Sequence, residues 1–119
     1  MLSPASTPRI FLAVEPADMR KGFDGLAQLV RERIAEEPLS GRLFVFRNRR
    51  RDRVKIPYWD RDGFALWYKR LEKGGFRFPE AKGGRVEVTP AEMAAVLEGI
   101  DLSRARRLPR RAPPAPQPV

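Results

Sequence analysis

The chain has 119 residues, with 24 Lys and Arg against 15 Asp and Glu, a formal net charge of +9, and neither Cys nor His. That length suits one domain, able to bury a little under about 70% of the surface its unfolded chain exposes. The missing residues exclude a disulfide scaffold, a Cys-based zinc site, a thiol nucleophile, imidazole metal ligands and every His-dependent triad, while a pI near 11.0 points to a polyanionic partner, nucleic acid ahead of a membrane surface.

In chain order, residues 1–8 hold Pro4 and Pro8 among small polar residues and are expected to fray. The apolar run Ile10–Val14 fits a strand ended by Pro16, and is too short for a signal peptide or a membrane span. A soluble, cytoplasmic, nucleoid-associated protein without membrane contact is therefore expected. A helix is expected from about Asp24, because Phe23, Leu26, Ala27, Val30 and Ile34 recur at helical spacing. Pro38 and Ser40-Gly41 break it. Leu43–Phe46 and Arg53–Trp59 read as strands joined by the polar turn Asn48–Asp52, a hairpin.

Phe64–Leu71 fits a helix face or a strand face. The turn chemistry of Asp60-Arg61-Asp62-Gly63, with Gly63 able to take a positive φ, and the aromatic content favour a strand. Phe76–Phe78 and Val86–Val88 read as further short strands. Thr89-Pro90-Ala91-Glu92 then sets a hydroxyl at N-cap, proline at N1 and a carboxylate at N3 of a helix over 90–98, with Gly99 as its C′ residue. The Arg- and Pro-rich residues 103–119 have almost nothing to bury and are expected to be disordered. The resulting fold class is α+β: a small antiparallel sheet with two main helices in a single domain over 9–102, and a basic tail.

Charge is concentrated along this chain. Residues 42–77 hold 12 basic and 4 acidic side chains, whereas residues 1–41 hold 5 and 6. The densest run is Arg47-Asn48-Arg49-Arg50-Arg51-Asp52-Arg53-Val54-Lys55. Guanidinium groups at a hairpin tip suit phosphate oxygens, since each is a planar fork of fixed charge. Arg47, Arg49, Arg50, Arg51, Arg53 and Lys55 are the expected phosphate ligands, followed by Lys69, Arg70 and Arg77. The competing reading is a solvated turn that keeps the protein soluble. Trp59 lies on the strand face of Arg53 and Lys55, and pairing with the next strand would add Trp67 and Lys69, a platform on which bases stack. Against this, both indoles can pack beneath a helix with basic stems passing over them.

Asp60 and Asp62, with Asp52 or Glu72, resemble a two-metal site only superficially. Each serves equally as a turn former or ion-pair partner. No catalytic residue, metal or cofactor is expected. The tail arginines, Arg104 to Arg111, are either a flexible nucleic-acid arm or an unselected extension.

Several strings together resemble a known family: Ile10-Phe11-Leu12-Ala13-Val14, Asp18-Met19-Arg20-Lys21-Gly22-Phe23-Asp24-Gly25-Leu26, Gly41-Arg42-Leu43-Phe44-Val45-Phe46-Arg47-Asn48-Arg49, Tyr58-Trp59-Asp60 and Lys69-Arg70-Leu71-Glu72. Over roughly residues 9–101 the chain resembles the TnpB (Orf2-like) accessory proteins of the insertion-sequence 66 family of bacterial transposable elements. The resemblance implies a non-catalytic role in transposition beside a separate transposase, with DNA at the element ends and element-encoded proteins as partners. A protein–protein adaptor that docks on the transposase without touching DNA is the alternative. The family supplies no established catalytic residues to carry over. Pro57 departs from its usual aliphatic residue, which suggests an edge strand or bulge.

Overall fold

The computed structural model describes residues 7–81 and 83–98. Five strands form one sheet: β1 (Ile10–Ala13), β2 (Leu43–Arg47), β3 (Arg53–Asp60), β4 (Gly63–Arg70) and β5 (Arg85–Val88), in the order β4-β3-β2-β1-β5. Helix α1 (Phe23–Leu29), continued by a π-helical turn over Val30–Ile34, follows β1, and α2 (Pro90–Leu97) follows β5. The α+β class holds, and Phe64–Leu71 resolves as the strand β4. All pairs are antiparallel except β1–β2, which align Ile10 with Leu43 and Leu12 with Val45 in parallel. A parallel neighbour needs a crossover, and α1 supplies it.

Strand alternation divides the core between two sheet faces. Phe11, Ala13, Phe44 and Phe46 meet Leu26, Leu29, Val30 and Ile34 of α1 and its π turn. Ile10, Leu12, Leu43, Val45, Val54 and Ile56 meet Met93 and Val96 of α2, with Phe76 and Phe78 beside them. β1 is buried along its whole length, as a strand covered on both faces must be. Phe76–Phe78 corrects an expectation: the segment forms no strand and anchors by two buried rings instead. Phe23 opens α1 but is 47% exposed, its ring lying 5.8 Å from that of Phe64.

Thr89 caps α2 as the sequence predicts. Its side chain accepts from the Glu92 N–H, and the Glu92 carboxylate accepts from the Thr89 N–H. Two changes of chain direction rest on left-handed residues. Ala35 ends the π turn at φ 60°, and Arg61, not Gly63, supplies the positive φ (57°) of the β3–β4 turn. Pro57 is flanked on both sides, but the β2–β3 register, Phe46 with Lys55 and Arg47 with Val54, stops short of it. Residues 1–6 of the stretch 1–8 expected to fray, the C′ role of Gly99 and the disorder of 103–119 lie outside the described residues.

Candidate nucleic-acid interface

The basic run folds as the β2–β3 hairpin, and Asn48 organises its tip. The Asn48 side-chain oxygen accepts the N–H groups of Asp52 (3.1 Å) and Arg53 (3.0 Å), and its amide nitrogen donates to the Asp52 carboxylate (2.6 Å). This donation, first among the causes, pulls the Asp52 carboxyl below its ordinary value, with Arg50 and Arg53 adding to it. Asp52 is thus a turn former. Arg51 completes the turn at φ 63° and donates its N–H to the Asn48 carbonyl (3.2 Å).

A second turn docks against the first. Leu71 donates its N–H to the Asp52 carbonyl (2.8 Å), and Phe76 donates to the Arg51 carbonyl (2.6 Å). Gly74 has φ +72°, and a Cβ at Gly75 would stand 3.1 Å from the Arg51 oxygen, so a side chain there needs the Arg51 turn to give by a few tenths of an ångström. Between the turns lies a groove of about 240 Å³ lined by Arg50, Arg51, Gly74, Gly75, Phe76 and Arg77. Arg49, Arg50, Arg51 and Arg77 are exposed. Among the described residues no hydrogen bond or ion pair engages their guanidinium groups. Lys73, outside the expected set, sits exposed in the same turn. The Gly74-Gly75 pair was the available signal for this second turn, but its partner in space was not visible in the chain.

The remaining expected ligands divide. Arg53 and Arg70 face each other across β3 and β4, a like-charge pair directly opposite in the sheet, which is unfavourable. Arg70 also meets Glu72 at 3.3 Å, an exposed pair. Lys69 is exposed at the end of β4.

Arg47 and Lys55, expected among the phosphate ligands, lie in the interior. Arg47, 9% exposed, donates to the carbonyls of Val14 (2.8 Å) and Asn48 (3.3 Å), and its guanidinium sits 5.6 Å from the Phe78 ring. Burial, then the nearby Arg51 charge, lowers its pKa from the usual arginine value. The Arg47 Nε is buried without a partner among the described residues. Lys55, 8% exposed, donates to the carbonyls of Met19 (2.7 Å) and Lys21 (2.9 Å) and lies 4.8 Å from the Tyr68 ring centre. Both cations hold loops against the sheet. They are committed before any ligand arrives.

The expected joint platform of two indoles does not form. Trp67 pairs with Ile56 and Trp59 with Phe64. Directly paired residues share a face, so Ile56 puts Trp67 on the α2 side and Trp59 lies on the opposite one. Asp60 and Asp62 flank the β3–β4 turn, where Asp62 donates its N–H to the Asp60 carbonyl (2.6 Å). Among the described residues, no three carboxylates gather in a group able to hold a metal ion.

Fold and site together define a small α+β protein that presents cationic side chains on two interlocked turns. The chain belongs to the family described as IS66 Orf2 like protein, which matches residues 8–107. The family points to an accessory role in transposition. An uncharacterized protein of Sinorhizobium fredii, y4jC, is 39% identical over 113 residues, 95% of this chain and 97% of the relative. A second uncharacterized protein of that organism, y4hO, is 41% identical over 101 residues, 85% of this chain and 88% of the relative. No solved structure matches the chain. Among the described residues, no helix is long and apolar enough to cross a membrane.

Proposed function

We propose that this protein is a non-catalytic accessory factor of transposition that binds DNA through phosphate contacts at the two interlocked turns. Arg49, Arg50, Arg51 and Arg77 make the principal contacts, with Arg53, Lys69 and Arg70 along the adjoining strand ends. The observation that carries this reading is the groove where Arg50, Arg51 and Arg77 converge without an intramolecular ion pair among the described residues. Guanidinium groups arranged in this way take phosphate oxygens as bidentate ligands. Gly74 and Gly75 line this groove without adding side chains to it. Arg47 and Lys55 hold the hairpin in place and contribute no phosphate contact.

Binding of duplexes carrying the element's terminal repeats, and of scrambled duplexes, tests the proposal when followed by fluorescence anisotropy over a salt series. Affinity should fall linearly on log–log axes, with about 0.9 of slope per phosphate contact. A difference between the two duplexes would measure sequence preference. Absence of duplex binding at low salt, together with capture of the protein by purified transposase, would replace this reading with that of an adaptor.

A further inference from the structure

β4 is the outer strand on one side of the sheet, and among the described residues nothing pairs with its free edge. A regular edge of eight residues is a template for another strand, because half of its backbone groups point away from the sheet. This edge is flanked by large exposed rings: Trp67 is 39% exposed, Tyr68 48%, and Phe23, tilted against Phe64, 47%. Its two ends are oppositely charged. Asp62 precedes the strand and Lys69-Arg70 closes it. Arg70 already faces Arg53 inside the sheet, so an anion on its outer side relieves that repulsion.

We infer that a second copy of this chain is the occupant, adding its own β4 antiparallel to this one across a two-fold axis at Leu66. A two-fold normal to the sheet places one residue opposite its own copy. Centring on Leu66 sets Arg70 against Asp62 of the second copy, Tyr68 against Phe64, and the large Trp67 against the small Ala65. Each pairing occurs twice. Centring on Trp67 instead sets Glu72 against Asp62, and centring on Ala65 brings Lys69 beside Arg61; of the three only Leu66 sets Arg70 against Asp62, and its own like-charge pair, Glu72 with Asp60, lies outside β4. In this register, Tyr68 of each copy joins the other's tilted Phe23–Phe64 pair. A ten-stranded sheet results, with both α1 helices on one face and the β4 edges closed.

Sedimentation equilibrium of the full chain without DNA tests the dimer independently of the phosphate-binding reading. The expected result is a reversible monomer–dimer equilibrium. Arg70→Glu and Asp62→Arg should each weaken it roughly tenfold, since each reversal sets like charges opposite one another twice. The double variant should restore dimerisation, and circular dichroism checks that each variant is folded. A monomer at every concentration overturns the proposal. So does a dimer indifferent to both reversals, or one that the double variant fails to restore.

Discussion

Asn48 and Lys55 are single residues that hold the basic hairpin in position by satisfying backbone groups. Asn48→Ala strips acceptors from the Asp52 and Arg53 N–H groups and the donor from the Asp52 carboxylate. It should cost about 1–2 kcal/mol in urea unfolding. Lys55→Met keeps the aliphatic stem but leaves the Met19 and Lys21 carbonyls without their ammonium donor, and should cost about 1–3 kcal/mol. At this scale the sequence is legible where the chemistry is local: Asn48–Asp52 reads as a turn because its own side chains build it. Lys55 and Arg47 are misread for the opposite reason. Their partners are 33 to 36 residues away in Val14, Met19 and Lys21, and a run of basic residues looks uniformly solvated until those carbonyls arrive. The available hint was position, since Lys55 sits between Val54 and Ile56 within the apolar, buried stretch of β3.

Elements are joined by a few ion pairs and caps with measurable consequences. The Glu36 carboxylate, its side chain only 13% exposed, accepts from Arg85 of β5 and from Arg42 just before β2, tying the end of the π turn to two strands. Arg85, then Arg42, holds the Glu36 carboxyl below its ordinary value of 4.5, against the opposing effect of burial. A folded pKa below the unfolded one contributes stability that is complete above about pH 4.5 and is lost as pH falls through the folded value. Asp18, held at about 2 by hydrogen bonds from Arg20, extends the same loss to lower pH. Stability should therefore be nearly flat from about pH 5 to 8, where no histidine titrates, and Glu36→Gln should shrink the acid-side decline in a pH series of thermal melts. Thr89→Ala removes half of the α2 capping box and should cost about 1 kcal/mol. The cap was plain in Thr89-Pro90-Ala91-Glu92, because an N-terminal cap is written within four residues. The missing strand at Phe76–Phe78 was not, because two buried phenylalanines look alike whether a ladder or a docked loop holds them.

Across the whole molecule, the apolar, aromatic run of β2, the alternation of β3 and the helical spacing in α1 were enough to indicate an α+β domain. The order β4-β3-β2-β1-β5, with its one parallel pair, was not. Parallel pairing of β1 and β2 spans the entire α1 crossover and leaves no mark on either strand alone. That topology nevertheless decides the site. It leaves β4 as a free edge, and the Gly74-Gly75 turn after it docks on the β2–β3 tip. The excess of positive charge thus resolves into buried structural cations, strand-end arginines placed opposite one another, and a groove of exposed guanidinium groups. The most direct measurement is the salt dependence of duplex binding by Arg49→Ala/Arg50→Ala/Arg51→Ala beside the unaltered protein, with Lys55→Met as a structural control. Phosphate binding at the tip predicts a log–log slope flatter by up to about 3 × 0.9 in the triple variant, and unchanged in folded Lys55→Met. An unchanged slope in the triple variant would contradict it.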